Sequence, residues 1–208
     1  PWRDLPPSFG LWNSVYQRFA RWSHSGVWHR VFAQLALDAD FEEVFIDSTI
    51  VRAHQHAAGA PKKKGDQALG RSRGGLSTKI HAVVEGLGLL ARFSLTGGEA
   101  GDSPQALPLL GDLQPASLSA DKAYDTDAIL QHLADQGIEA VIPPRRHRRV
   151  QRRFDRDHYK NRNLIERFFC RIKQFRRIAT RYDKLSERFA SFVALAAACL
   201  FLSPQIKI

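Results

Sequence analysis

The order in which apolar segments follow one another places the tightest limit on the fold. Three strand-like segments come first, and helical and strand-like segments then alternate. The predicted strands are 44–46, which runs into the polar residues 47–49, then 76–84, 89–95, 118–121 and 138–142. The helices predicted between and after them are 104–113, 126–136, 157–180 and 184–202. This order predicts an α/β fold in which a mixed β-sheet carries helices on its faces.

Two further segments, residues 8–23 and 26–37, precede the first strand. Their aromatic and aliphatic side chains recur at helical spacing, and Gly26 separates them. They predict an N-terminal helical hairpin within residues 1–40, ahead of a larger domain over residues 41–208. The hairpin is either a remnant of a DNA-binding module or a packing element. Because the chain begins at Pro1 and holds no methionine, we expect that an N-terminal piece is missing.

Positive charge is concentrated in two segments of a chain whose net charge is +10. Residues 141–181 hold 15 Lys and Arg against three acids, and residues 52–79 hold seven against one. The remaining residues are acidic on balance, which favours a polyanion bound on one side; a solvated basic face is the alternative. No apolar run reaches 18 residues, so no membrane span is predicted. Cys170 and Cys199 are expected to be reduced, in the cytoplasm.

Two aspartates, Asp47 and Asp121, stand at the C-terminal ends of predicted strands. In open sheets of this kind, sites form where strands end, so we expect the two carboxylates to lie close together. Carboxylate oxygens favour Mg²⁺ or Mn²⁺ over zinc. Two such ions about 4 Å apart can support an in-line phosphoryl displacement.

A third acid, Glu166, stands among arginines on the predicted helix 157–180. At about 100° per residue, Arg162, Glu166 and Lys173 fall within roughly 60° of Tyr159. A lone acid among so many bases is unusual for a solvated helix face. It suits a site that binds phosphate and a metal ion.

These residues resemble the motifs of DDE transposases from bacterial insertion sequences. The spacing of Tyr159, Arg162, Glu166 and Lys173 matches the C-terminal helical signature of that family. Residues 121–125 resemble the family's middle motif and residues 45–49 its first. Segments 52–56 and 181–184 are also similar, and the resemblance extends over roughly residues 2–202.

The resemblance implies an RNase H-like fold and a transposase that cleaves DNA and transfers strands with divalent metal, Mg²⁺ or Mn²⁺, as two ions. It implies that Asp47, Asp121 and Glu166 are the catalytic metal ligands. It implies that Tyr159, Arg162 and Lys173 contact DNA or support the site. The partners would be double-stranded element ends and target DNA, bound by a homodimer associated with the nucleoid of the bacterial cytoplasm.

Basic residues outside the helical signature are expected to hold flanking DNA by its backbone, in a salt-dependent and largely sequence-independent manner. They lie in part 62–73 of the predicted basic loop 53–75 and in the arginine-rich run 145–153. The residues are Lys62, Lys63, Lys64, Arg71, Arg73, Arg145, Arg146, Arg148 and Arg149.

Two other functions remain open at this point. The same acids would serve an RNase H-like nuclease without strand transfer, and an inactive or truncated transposase-derived protein would bind DNA only. A zinc site at His54 and His56 is weakly indicated, because no third ligand stands at suitable spacing. Asp102 is interpreted as a helix cap, and Asp125 as a possible partner of the site carboxylates.

Overall fold

A computed structural model of the chain describes residues 1–38, 41–59 and 65–202. Within these ranges, seven strands form one sheet. They are β1 (Glu43–Ala53), β2 (Gly70–Ser72), β3 (Gly75–Glu85), β4 (Leu90–Gly97), β5 (Ser117–Ala120), β6 (Glu139–Val141) and β7 (Thr180–Arg181).

The helices lie before the first strand, between the later strands and at the C-terminal end. They are α1 (Trp12–His24), α2 (Val27–Leu35), α3 (Ala106–Leu110), α4 (Asp127–Asp135), α5 (Arg156–Lys160), α6 (Asn163–Ile172), α7 (Arg176–Ala179) and α8 (Ser186–Leu202). None of the helices in the described part of the chain is both long and apolar enough to cross a membrane.

The sheet is mixed, as the order of segments predicted. Its main path is β2-β3-β1-β5-β6, with β4 beside β3 and β7 beside β1. The pairs among β1 to β4 are antiparallel, whereas β5 runs parallel to both β1 and β6. The predicted α/β fold with helices on the sheet is therefore confirmed.

Two apolar cores lie on the two faces of the sheet. Phe45, Val51 and Ile80 face one core, which α6 and α8 cover. Val44 and Ile46 face the other core, which includes residues of α3 and α4. Successive side chains of a strand point to opposite faces, so Asp47 lies on the α6 side with Phe45, and Ser48 lies on the α3 side with Ile46.

The predicted N-terminal hairpin is present as α1 and α2, which pack against α8. Phe19 of α1 stacks on Phe192 of α8 with ring centroids 4.5 Å apart. Trp28 of α2 packs beside Phe19 at 5.7 Å. Phe19, one of the aromatic residues that gave α1 its helical spacing, thus joins the hairpin to the last helix.

The predicted single helix over 157–180 is wrong, because this segment forms α5, α6 and α7. At the first break, Leu164 and Ile165 donate to carbonyls three residues back, which tightens the turn. At the second, Phe175 takes an extended conformation (ψ 107°) and packs against the apolar core. A 3.6-residue period cannot reveal such tight turns, since the apolar stripe continues through them.

Two other boundaries differ from expectation. Asp47 does not end its strand: β1 continues to Ala53, because β3 pairs with it as far as Arg52. The segment 53–75, predicted to be a loop, contains the short strand β2 paired with β3. Both differences arise from a long antiparallel partner, which local sequence does not indicate.

Candidate active site

Asp47 and Asp121 lie side by side where β1 and β5 separate. The last parallel pair is Ile46 with Ala120, so each aspartate is the next residue on its own segment. The Ser48 N–H donates to Asp47 Oδ1 at 2.7 Å, and the Ala123 N–H donates to Asp121 Oδ1 at 2.7 Å. Burial raises the pKa of Asp47, and the charge of Asp121 raises it further.

Arg162, just before α6, joins a sheet acid to the helix acid. Its guanidinium donates to Asp47 Oδ2 at 2.9 Å and to Glu166 Oε1 at 3.1 Å. The Arg162 side chain is 16% exposed and that of Glu166 is 60% exposed. The two carboxylates therefore share one cation, although they are 119 residues apart in sequence.

Tyr159, in α5, lies within electrostatic range of all three acids. Burial raises its pKa, the Arg162 charge lowers it, and the charges of Asp121, Asp47 and Glu166 raise it. The Arg162 guanidinium lies 6.0 Å from the Tyr159 ring centre. The structure thus gathers the residues of the helical signature around the two sheet aspartates.

Lys173, at the end of α6, binds β1 just beyond Asp47. Its ammonium donates to Thr49 Oγ1 at 2.5 Å and to the Ile50 carbonyl at 3.2 Å. Burial lowers its pKa. Thr49 is two residues from Asp47 and lies on the same face of β1, so Lys173 brings a positive charge to the edge of the acid group.

A buried polar group on the other face of β1 was missed by sequence reasoning. Asp102 accepts hydrogen bonds from Ser48 Oγ at 2.7 Å and from Lys79 Nζ at 2.9 Å, and His81 Nδ1 lies 3.7 Å away. Asp102 was predicted to cap a helix, but its side chain makes no capping bond. Burial lowers the pKa of His81 to about 4, so this ring is neutral at pH 7. The sequence signal that could have indicated this group is the presence of Lys79 and His81 in a buried strand.

Two family models match the chain. A model described as "Transposase DDE domain" matches residues 38–202, and one described as "Putative transposase of IS4/5 family" matches residues 1–32. The chain belongs to the transposase DDE domain family. It is a DDE transposase, an enzyme that cleaves nucleic acid and transfers strands. Members of this family depend on divalent metal.

Curated relatives are insertion-sequence proteins of bacteria. The putative transposase for insertion sequence element IS6501 of Brucella ovis is 40% identical over 129 residues, which cover 61% of this chain and 99% of that protein. The putative transposase for IS402 of Burkholderia cepacia is 29% identical over 154 residues, 66% of this chain and 67% of that protein.

Solved structures with a similar chain path include an integrase and a transposase. The catalytic core domain of BIV integrase is similar at a TM-score of 0.39 and 13% identity, covering 81% of this chain and 86% of that one. The piggyBac transposase in a synaptic complex with hairpin DNA is similar at a TM-score of 0.46 and 8% identity. The match covers 79% of this chain and 48% of that one.

The transposase uses Asp125 to hold its arginine-rich connector. The buried Asp125 carboxylate accepts from the Arg145 N–H, from Arg148 Nε and from Arg152 at 2.7–2.9 Å. Asp125 was considered a partner of the site acids, but these bonds are made to the connector. Asp125 therefore holds the segment that leads from β6 to α5 in place.

The basic residues predicted to bind DNA fall into three groups. Arg145 and Arg148 are engaged within the fold, Arg145 with the carbonyls of Lys122 and Ala123 and Arg148 with Asp125 and Asp127. Arg71, Arg73, Arg146 and Arg149 are exposed, as is the bonded Arg145. Lys62, Lys63 and Lys64 lie outside the described residues.

The acids do not form a closed metal-ligand set in this conformation. Across residues 1–38, 41–59 and 65–202, no group of three or more His, Cys, Asp or Glu side chains is arranged to hold a metal ion. Arg162 lies between Asp47 and Glu166 instead. The oxygen donors themselves are of the type that Mg²⁺ and Mn²⁺ prefer, so the residues fit the metal chemically.

The His54 ring packs against the rings of His56 and Tyr182.

Proposed function

We propose that Asp47, Asp121 and Glu166 are the catalytic acids of this transposase and that together they hold two Mg²⁺ or Mn²⁺ ions. The observation that supports this proposal most directly is the position of the Arg162 guanidinium. It donates hydrogen bonds to Asp47 and to Glu166, and Asp121 lies beside Asp47. A site in which one cation holds two acids, with a third acid beside them, is suited to exchange that cation for metal.

The chemistry is cleavage and rejoining of DNA phosphodiesters. Bound divalent ions would supply charge stabilisation for the attacking and leaving oxygens of an in-line displacement. Water attacks the phosphorus at an element end, and the departing oxygen takes a proton and becomes a free 3′-hydroxyl. That hydroxyl then attacks a target phosphodiester in the same site: its oxygen forms a new bond to phosphorus, the target strand's own P–O3′ bond breaks, and the departing target oxygen takes a proton.

The protein's own groups orient the acids and the substrate. The N–H groups of Ser48 and Ala123 each fix one carboxylate oxygen, which leaves the other oxygen of Asp47 and Asp121 toward the site. Lys173 would hold a phosphate as a point charge, and Arg162 would do so through two parallel hydrogen bonds. Tyr159 would support Arg162 or contact DNA beside it.

DNA would extend from the site over the exposed arginines. We place double-stranded element ends and target DNA against Arg71, Arg73, Arg146 and Arg149, together with the lysines at 62–64. Arg145 and Arg148 would act by shaping the connector. We further propose a homodimer on paired DNA ends, acting near the nucleoid in the bacterial cytoplasm.

A strand-joining assay separates this function from its alternatives. The chain is incubated with Mn²⁺, a plasmid and a duplex that ends in a pre-cut 3′-hydroxyl, and joined products are quantified. A transposase joins the duplex to the plasmid, and D47N, D121N and E166Q abolish joining. Cleavage without joining would indicate a nuclease. DNA binding without cleavage in wild type and variants alike would indicate a binding-only protein.

A further inference from the structure

The guanidinium of Arg162 occupies the gap between two of the proposed metal ligands. Its two terminal nitrogens lie 2.9 Å from Asp47 Oδ2 and 3.1 Å from Glu166 Oε1. Its Nε is buried and has no hydrogen-bond partner among the described residues. Arg162 thus holds each carboxylate through a single terminal nitrogen, and its Nε takes no part.

A divalent ion shared by these carboxylates would need the same space. Mg²⁺ lies about 2.0–2.1 Å from its oxygen ligands, so an ion between Asp47 and Glu166 would be closer to each than the guanidinium nitrogens are. A cation of charge +1 held in this gap opposes a second cation of charge +2 by direct repulsion. The two cations therefore exclude each other from this position.

We propose that Arg162 is the internal counter-ion of the site: its guanidinium holds Asp47 and Glu166 until a divalent ion takes their oxygens, and the released guanidinium then binds a DNA phosphate. This inference rests on the proposed function of the acids. Arg162 bonds the acids when metal is absent and a DNA phosphate when metal is bound, so that metal binding and phosphate binding are coupled.

The surroundings of Arg162 suit such an exchange. Glu166 is mostly exposed and bonds Arg162 at i,i+4 on the helix, so this contact is easily broken. The Tyr159 ring lies 6.0 Å from the guanidinium and offers it an aromatic surface in either position. A guanidinium also binds phosphate through two parallel hydrogen bonds, as it binds carboxylate.

The opposing interpretation is that Arg162 only preorganises the acids for metal. The two interpretations predict effects of opposite sign when the charge is removed. A competing counter-ion weakens metal binding, so its loss strengthens it. A preorganising residue aids metal binding, so its loss weakens it.

The test is a calorimetric titration of the full chain with Mn²⁺ alone. R162Q should bind Mn²⁺ about tenfold more tightly than wild type, a difference of about 1.4 kcal/mol. The matched control is R167Q, which removes an exposed arginine from the same helix and should change affinity by less than about threefold because exposed charges are screened. Equal or weaker Mn²⁺ binding in R162Q than in R167Q would overturn the proposal.

Further variants distinguish the possible failures. R162K keeps the charge but loses the fork, so its affinity should fall between those of wild type and R162Q. If D47N and E166Q lose Mn²⁺ binding while R162Q weakens it, only the counter-ion role is contradicted. If D47N and E166Q bind Mn²⁺ as wild type does, the proposed metal site itself is contradicted. Thermal unfolding of each variant shows whether it is folded.

The phosphate half of the proposal has its own readout. Fluorescence anisotropy measures binding of a labelled duplex with and without Ca²⁺, a divalent ion that carboxylate oxygens also bind. Wild type should gain DNA affinity when Ca²⁺ is added, and R162Q should lose most of that gain. A full gain in R162Q would overturn the release of Arg162 to phosphate.

Discussion

At the scale of single residues, Asp47 has the most demanding surroundings of the three acids. It is half-buried, and both of its oxygens accept a hydrogen bond, from the Ser48 N–H and from Arg162. Its pKa is raised because burial outweighs these stabilising bonds. A carboxylate held in this way is poised to bind a cation, which would remove the cost of its burial.

Replacing Asp47 by Asn should abolish the chemistry with little loss of stability. The amide keeps the shape of the side chain but cannot serve as an anionic ligand, and losing even outer-shell partners of a metal costs about 10–100-fold. We expect the cleavage rate of D47N to fall by more than about 100-fold. Cleavage is measured on a labelled element-end duplex with Mn²⁺, and a D47N rate within tenfold of wild type would contradict the assignment.

Residue contacts were predictable from sequence where they are local or where two predicted strands end together, as for Asp47 and Asp121. Arg162 and Glu166 stand four residues apart on one helical face, so their ion pair follows from the helical period. The contact of Asp102 with Lys79 and Ser48 joins three distant segments. It depends on the register of β1 with β3, which no local pattern encodes.

At the scale of secondary structure, α6 is fixed by its buried stripe. Ile165, Phe168 and Ile172 are 0–1% exposed and join the core that also contains α8. Their packing sets the side of the helix from which Glu166 projects toward the sheet. The position of the third acid thus depends on apolar residues that take no part in the chemistry.

Truncating Phe168 should therefore reduce stability strongly. Phe to Ala in a core typically costs about 3–5 kcal/mol through lost burial and the cavity that remains. We expect F168A to lose about that much in the free energy of unfolding by urea. R167A, at the exposed neighbouring position, is the control and should stay within about 0.5 kcal/mol of wild type. A loss below about 1 kcal/mol in F168A would contradict the packing described.

The connector between β6 and α5 should show a pH-dependent contribution to stability. Burial alone would raise the pKa of Asp125, but the Arg145 N–H and the guanidinium groups of Arg148 and Arg152 lower it overall, below the ordinary 3.8. A carboxyl with a lowered pKa stabilises the fold above the unfolded pKa. This stabilisation is lost as the pH falls through the lower, folded value.

D125N should thus be less stable than wild type by about 3 kcal/mol near pH 7. This is the low end of the cost of breaking a buried ion pair, and we expect the low end because the guanidinium groups of Arg148 and Arg152 are partly exposed. The difference should shrink as the pH is lowered below 3.8. Urea unfolding between pH 7 and pH 3 measures it. D127N, whose carboxylate is 92% exposed, is the control. A difference that grows toward low pH would contradict this account.

Element types were predictable from sequence more fully than their lengths. Periods of two and of 3.6 residues located the strands and helices of the α/β alternation. They did not show that β1 continues past Asp47 or that the segment 157–180 turns twice. Both features are set by tertiary partners: β3 extends the strand, and the core that receives Phe175 breaks the helix.

At the scale of the whole molecule, the charge distribution sets how the transposase would meet DNA. One basic segment, 52–79, follows Asp47 in sequence and the other, 141–181, contains Glu166, and five of their predicted DNA-binding arginines are exposed. Contacts of this kind release counterions from DNA, so affinity should fall steeply with salt. The fold supplies the acids, and the exposed bases would supply most of the binding.

Removing Arg146 and Arg149 together should weaken DNA binding and its dependence on salt. Each phosphate contact contributes about 0.9 to the slope of log affinity against log salt, so R146Q/R149Q should reduce the slope by about 1.8. Binding of a labelled duplex between 50 and 200 mM salt, about the range over which such effects are large, gives the slope. R18Q/R21Q, which removes two exposed arginines of α1, is the control. Equal slopes of log affinity against log salt in the two double variants would contradict DNA binding at Arg146 and Arg149.

The most direct test of the catalytic account is an anomalous-difference map from a crystal of the wild-type transposase grown with Mn²⁺. The account predicts Mn²⁺ peaks about 2–2.5 Å from carboxylate oxygens of Asp47, Asp121 and Glu166, with the Arg162 guanidinium moved away from Asp47. Peaks elsewhere, with Arg162 still bonded to both Asp47 and Glu166 at saturating Mn²⁺, would contradict it.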